Sequence, residues 1–573
     1  MMFKSKILFF IVLFSLIAST GLAADIYVDQ NLTSNITDGS YSIANRDSSG
    51  SDGNAYTTVQ AAINNMNPGD HIYLRNGTYQ EGHINITSNK NPTNGNWTDN
   101  YNLLASYPGE WAVLDGQNNL SFDDPERGSV IGNSGMYGDT LKYWKFERLE
   151  IKNGRSSNGE RAAGFWGEIG PFWFKHCYIH DNYATTNIGY YNNAGVKGHC
   201  WQDSIVEYCW FERNGALNTT NHNEGHIVVY SDYDYRDICE NGFNPSNNSG
   251  HHNMRNEYRY NYFDGSDGVP VAIKHKAKQF FTNHSTGEYN DTYNDFGDKI
   301  HHNIIYNHAA TNSGAIIARQ DFVQIYQNIL DGCAGGIGIG ENDTGRVYKA
   351  CTWNNLIYET SEHSLWRIFV EQFGEYASEV YYGYDYNNII YKGTDGWNWE
   401  EFAIRERDFE AGEGDYTNYV STNNYSYDGD NSDIYRMAGI TYTQAEYESL
   451  YPSAELYANS YNSTNPLFKG SSGADKYKTL SSHTIETNTT PGNAGANISH
   501  PYLSGITIPD YIGPADPDKD SGTDWNPDNP DPDDGGWIDY VLSLKNISIL
   551  KSSTTGGSVS QLPAPNNLKI SVQ

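Results

Sequence analysis

Residues Lys299–Leu330 read KIHHNIIYNHAATNSGAIIARQDFVQIYQNIL. The tripeptide Asn303-Ile304-Ile305 returns as Asn328-Ile329-Leu330, Asn355-Leu356-Ile357 and Asn388-Ile389-Ile390, at steps of 25, 27 and 33 residues. Related triplets precede it: Leu149-Glu150-Ile151, Cys177-Tyr178-Ile179, Cys209-Trp210-Phe211 and Asn261-Tyr262-Phe263. A period of this length is that of a solenoid, in which each turn buries its apolar face on the next. The asparagine before each late apolar pair predicts a ladder of stacked amides at an inner corner. Between Phe211 and His301 the spacing widens irregularly, so long loops leave the solenoid there. Such loops on a rigid scaffold commonly carry function.

Composition agrees with a long β structure. The 573 residues include 46 Tyr and 56 Gly, favouring strands and turns over helices. The net charge of -33 argues against a nucleic-acid partner, whose phosphates demand a basic surface. Lys4, Lys6, the apolar run Ile7–Ile17 and the small residues up to Ala23-Ala24 read as a cleaved signal peptide over residues 1–24. No later stretch is apolar enough to span a bilayer, so the expectation is a secreted, soluble monomer. The six cysteines contain no Cys-x-x-Cys, and they read as buried thiols with an occasional disulfide.

Near the N-terminus, helical spacing over Val59–Met66 is stopped by Pro68-Gly69-Asp70. A strand at Ile72–Leu74 and a turn at Asn76-Gly77 follow. This opening, TTVQAAIN followed by PGDHIYLRNGTY, resembles the N-terminal cap and first coil of the pectate lyase-like superfamily. The resemblance implies an all-β, right-handed parallel β-helix with a short N-terminal capping helix. That superfamily holds lyases, hydrolases, epimerases and adhesins, so it implies fold more narrowly than activity.

The segment from His251 to Arg319 departs from the acidic whole: seven Lys or Arg balance seven Asp or Glu, and seven of the 17 histidines fall here. A cleft of this sign concentrates an anionic polymer. Two strands, Val271-Ala272-Ile273-Lys274 and Ile316-Ile317-Ala318-Arg319, each end on a cation. We expect these cations on one sheet face, one coil apart, held together by a bound polyanion or by a structural salt bridge.

This Lys-then-Arg pattern resembles the alginate lyase and chondroitinase B group of β-helical polysaccharide lyases. The resemblance implies Lys274 as base, Arg319 as acid, and Ca2+ neutralising the substrate carboxylate so that its α-proton can leave. His226 and Tyr230 of the preceding coil share the parity of Lys274 and join the catalytic candidates. His275, Lys276, Arg255 and His302 are candidates for binding an anionic polysaccharide. Asn223, Glu224, Asp264 and Asp267 are the candidate Ca2+ ligands, although Val269 stands where the group carries a second acid.

Two further patterns bear on function. Asn241–Asn248 resembles the mannuronan C5-epimerase site, but Asn244 and Ser246 stand where that site carries its acid and histidine. The pairs Asp232/Asp234 and Asp264/Asp267 read alternatively as the two carboxylates of a glycoside hydrolase. The domain plan is a signal over 1–24, the solenoid over 25–512, an acidic Asp/Pro linker over 513–537 and a C-terminal segment over 538–573. Asp516, Asp518 and Asp520 resemble the start of a calcium loop. Leu562–Val572 resembles the first strand of a fibronectin type III domain that the chain stops short of completing. The functional expectation is a secreted lyase of uronate-containing polysaccharide; a β-helical glycoside hydrolase and a carbohydrate-binding adhesin are the alternatives.

Overall fold

The computed structural model describes residues 23–358 apart from 122–128, 134–139, 190, 222, 231–253, 277–281, 284–287, 290–294, 311–313 and 340–346. It also describes segments between 363 and 461 and between 498 and 552. Residues 1–22 of the expected signal peptide, Asp232/Asp234, Asn241–Asn248, the Asp516–Asp520 motif and Leu562–Val572 lie outside the described residues.

The described strands form three long sheets of 14, 12 and 12 strands, in which successive coils pair in parallel. This is a parallel β-helix. Alternation along each strand sends every second side chain inward, and the inward positions stack coil upon coil. One column runs Phe146, Phe174, Val206, Tyr258, Ile300 and Ile325. A second runs Ile151, Ile179, Phe211, Phe263, Ile305, Leu330, Ile357 and Ile390, the last residues of the repeated triplets. These side chains are fully buried, and each contributes roughly 1.5–3 kcal/mol by leaving water.

Helix α1 (Val59–Asn65) closes the N-terminal end with Val59, Ala62 and Ile63 inward. The Thr58 hydroxyl accepts the Ala61 N–H, and the Glu81 carboxylate accepts those of Val59 and Gln60, so three of its first donors are satisfied.

The asparagine ladder forms as expected. Each side-chain oxygen accepts both the backbone and the side-chain N–H of the asparagine one coil before. It runs through Asn261, Asn303, Asn328, Asn355, Asn388 and Asn424 at 2.9–3.1 Å. At earlier coils Cys209 and Cys177 occupy the same corner, and the Cys177 N–H donates to Cys209 Sγ. Cys177, Cys209, Cys333 and Cys351 are buried free thiols, and Cys200 is disulfide-bonded.

The residue just before each ladder position is left-handed. Tyr208, Tyr260, His302, Gln327, Asn354 and Asn387 have φ between 51 and 54°. This turn costs a non-glycine residue roughly 1–2 kcal/mol, and the side chains it turns outward seat the C-terminal segment. Tyr208 donates to Pro527 O, His302 Nε2 and Gln327 Nε2 both donate to Pro532 O, and Asn387 donates to Pro509 O. Helices α2 (Gly536–Ser543) and α3 (Ile547–Ser552) follow, and the boundary expected at 537 falls inside α2. Trp537, Ile538, Val541, Leu544 and Leu550 pack on Tyr208, Tyr260, Tyr262, Ile304 and Ile329.

Candidate active site

The third sheet carries the expected catalytic residues. Its central strands are β1 (Ala163–Glu168), β2 (Ala194–His199), β3 (Gly225–Tyr230), β4 (Val271–Lys276), β5 (Ile316–Arg319) and β6 (Gly335–Ile339), stacked in that order. Phe165, Val196, Ile227, Ile273, Ile316 and Ile337 form its core-facing column. The position after that column faces outward and reads Trp166, Lys197, Val228, Lys274 and Ile317. Two residues further along, a second row reads Glu168, His199, Tyr230, Lys276 and Arg319.

This register corrects the expected pairing. Lys274 lies opposite Ile317, and Arg319 lies opposite Lys276. The core-facing Ile273 pairs with Ile316, so the first cation comes one residue past the column in β4 and the second comes three past it in β5. Lys274 and Arg319 remain on one face of adjacent strands, but they are diagonal. Tyr230 and Lys276 are placed by register alone.

His226 does not share the parity of Lys274. The ladder pairs Gly225 with Val271 and Ile227 with Ile273, and a bend between them turns His226 and Ala272 inward. The His226 ring packs against core residues Phe211 and Phe263, its Nδ1 accepts from Asn214 Nδ2, and its Nε2 donates to Asp264 O. Burial holds its pKa well below the usual histidine value, so it is a neutral interior residue.

Three binding candidates are likewise structural. His275 points inward, with Nδ1 2.6 Å from Asp298 Oδ2 and Nε2 2.9 Å from the Tyr258 hydroxyl. Arg255 makes a two-pronged ion pair with Asp203 and covers the Phe296 ring. His302 is buried beneath the C-terminal segment.

On the outward face, Lys274 Nζ donates to Asn223 Oδ1 at 2.8 Å, and the Asn223 side chain donates to Gly189 O. Lys197 Nζ lies 4.4 Å from the Trp166 ring centre and donates to Tyr191 O. His199 Nδ1 is 3.7 Å from Glu168 Oε1, and the ring meets Trp166 edge-on. No expectation from the sequence falls on Trp166, Lys197, Glu168 or His199. Their signal was AGFWGE at 163–168 and AGVKGH at 194–199: two strands with glycine at matching inward positions, leaving the chemistry-bearing side chains outward. A Cβ at Gly198 would meet Gly167 O at 2.2 Å, so the close approach requires glycine.

The four candidate Ca2+ ligands do not converge, and among the described residues no three acidic, histidine or cysteine side chains cluster as a metal site. Asn223 Oδ1 accepts from Lys274 Nζ. Glu224 Oε1 accepts from Gly189 N and Asn193 Nδ2. Asp264 belongs to the second sheet and accepts from Ser266 N, and Asp267 lies 3.7 Å from Arg213. These residues do not fit a calcium ion as assigned. Asp264 and Asp267, the alternative hydrolase pair, thus each have a separate partner.

Glu224 has a different property. Burial away from water pushes its carboxyl up to about 7. Between the ordinary carboxyl value and that one, the folded chain keeps a proton that the unfolded chain has released. The associated stability is full below the ordinary value and is lost as pH rises to about 7. Glu224→Gln mimics the protonated form, so it should match the parent near pH 4–5 and exceed its stability at pH 8 by roughly 3 kcal/mol. Denaturant unfolding at both pH values checks this, and an unchanged difference between the two proteins would contradict it.

The sheets define a parallel β-helix. One stretch of 141 residues is 31% identical to pectate lyase PEL9 of Emericella nidulans, covering 23% of this chain and 29% of that protein, less than a third of its length. Among solved structures, the PL6 family polysaccharide lyase Pedsa3628 from Pseudopedobacter saltans aligns over 71% of this chain and 91% of its own, at 14% identity and a TM-score of 0.40. Pectate lyase Pel9A aligns over 86% and 98%, at 13% identity and a TM-score of 0.39. No family model matches the chain. Among the described residues no helix is long and apolar enough to cross a membrane.

Proposed function

We propose that the protein is a secreted, monomeric polysaccharide lyase that cleaves an anionic, uronate-containing polysaccharide by β-elimination on the outward face of β1–β5. The observation that carries this reading is the pair of outward rows. In a chain of net charge -33 their described side chains include Lys197, Lys274 and Arg319 against one carboxylate, Glu168. The likeness of one stretch to a pectate lyase supports the same reaction class.

Lys274 is the proposed base. Asn223 Oδ1 orients its nitrogen, which as the neutral amine takes the proton α to the uronate carboxylate. The electron pair of that C–H bond forms the new carbon–carbon double bond as the carbon–oxygen bond β to it breaks. Arg319, diagonal to Lys274, is the proposed acid: it gives a proton to the departing glycosidic oxygen and is reprotonated through solvent by the proton that Lys274 took.

The test is ultraviolet absorbance of the unsaturated uronate on alginate, pectate, chondroitin and ulvan. A rising signal on one polymer is expected. New reducing ends without that absorbance would establish a hydrolase instead, and polymer binding without cleavage would establish an adhesin.

A further inference from the structure

Gly189 lies in the segment leading into β2, one coil before Asn223 and Glu224, and those two neighbours grip it from both ends. Its N–H donates to Glu224 Oε1 at 2.5 Å, and its carbonyl accepts from Asn223 Nδ2 at 3.4 Å. The other end of the Asn223 amide accepts from Lys274 Nζ at 2.8 Å. We propose that Glu224 is a positioning residue for the base: by holding Gly189 it fixes which end of the Asn223 amide faces Lys274. This rests on the reading of Lys274 as the base.

The first support is what the two ends of an amide do to a neutral amine. The oxygen accepts one amine N–H and leaves the lone pair clear to take the proton of the substrate. A turned amide would donate Nδ2–H to that lone pair and tie up the base. The Gly189 carbonyl, which only accepts, selects the first orientation.

The second support is the anchoring of Gly189. At 3.4 Å its bond to Asn223 is the longest of these contacts, so it depends on the short bond at the other end of the residue. Glu224 is fully buried, and its Oε1 also accepts from Asn193 Nδ2 at 3.0 Å. Asn193 Oδ1 in turn accepts from Ala162 N at 2.7 Å, which carries the anchor back a further coil. Gly189 has a φ of 90°, and a Cβ there would meet Asn221 Nδ2 at 1.9 Å. Asn221 Oδ1 accepts the Asn223 N–H, so a side chain at 189 presses on the residue that orders Asn223.

The experiment compares the full chain with three variants. Glu224→Met removes the acceptor, Gly189→Ala disturbs the residue it holds, and Glu224→Gln keeps an oxygen in place. Two readouts are taken on folded protein: unsaturated product from alginate, pectate, chondroitin and ulvan, and acetylation of Lys274 by acetic anhydride, followed by mass spectrometry. On the polymer that is cut, Glu224→Met and Gly189→Ala should lower kcat roughly 10- to 100-fold with KM within about twofold. Acetylation of Lys274 should fall by roughly three- to tenfold in both, the effect of one hydrogen bond to its lone pair. Glu224→Gln should stay within about threefold of the parent in both readouts. An unchanged kcat in the two disrupting variants would overturn the proposal, as would a loss in Glu224→Gln equal to that in Glu224→Met. Acetylation that holds or rises in the disrupting variants would also overturn it, since looser packing exposes the amine whereas a turned amide blocks it. The expected acetylation pattern with no unsaturated product from any polymer would leave the link from Glu224 to Lys274 standing and sink the lyase reading.

Discussion

Lys274→Ala should lower the rate of unsaturated-product formation by roughly 100- to 10,000-fold, the range for removing a positioned proton-transfer group. Lys274 is buried on the outward face, and its nitrogen is fixed by Asn223. The substitution leaves that amide oxygen without its donor and so costs some stability, about 1–3 kcal/mol. The loss of rate must therefore be read on folded protein, at a temperature well below the unfolding midpoint. Lys274→Arg separates charge from proton transfer. It keeps a cation near Asn223 but cannot give up its proton near neutral pH, so polymer binding should persist while the rate stays low. A Lys274→Ala enzyme with undiminished rate would remove Lys274 as the base and leave the face as a binding surface.

The second large effect concerns the corner ladder. Asn328→Ala should destabilise the solenoid by roughly 3–5 kcal/mol, because it strands several buried polar groups at once. Asn328 Oδ1 accepts from Asn303 N and Nδ2, and Asn328 Nδ2 donates to Ile300 O, Tyr326 O and Asn355 Oδ1. Asn303, Asn328 and Asn355 are all fully buried, so water cannot replace these partners. Asn328→Cys should be milder, since Cys209 fills the same corner and its sulfur accepts from Cys177 N. Urea unfolding of the three proteins checks the order. A loss below about 1 kcal/mol for alanine would show that the amides only line the corner without holding it.

Some of this architecture is legible in the chain because its cause is local. The Asn-apolar-apolar triplets name the corner and the inward column together, since a buried amide must find partners, and its stacked copies and the adjoining backbone carbonyls offer them. The turn before them is silent. Arg148, His176, Tyr208, Tyr260, His302 and Gln327 share a left-handed conformation but no chemistry. What they seat is a segment some 200 residues or more away for His302 and Gln327, so His302 reads in isolation as a surface histidine.

The site was half legible for a related reason. Counting alternate residues found one face for Lys274 and Arg319. It could not see that Ile273, rather than the lysine, sets the register against Ile316. Nor could it see the bend that turns His226 into the core. The glycine-spaced strands β1 and β2 lacked a conspicuous cation pair and were passed over, although they bring Trp166, Glu168, Lys197 and His199 to the same face.

The central claim is elimination, and cleavage in water enriched in oxygen-18 tests it most directly. Elimination breaks the glycosidic bond without consuming water. In a reaction short against oxygen exchange at the new reducing end, the two fragments should therefore carry no label, sum in mass to the parent oligosaccharide, and include one with an unsaturated terminal uronate. Fragments heavier than the parent by one labelled water would show hydrolysis and contradict the assignment.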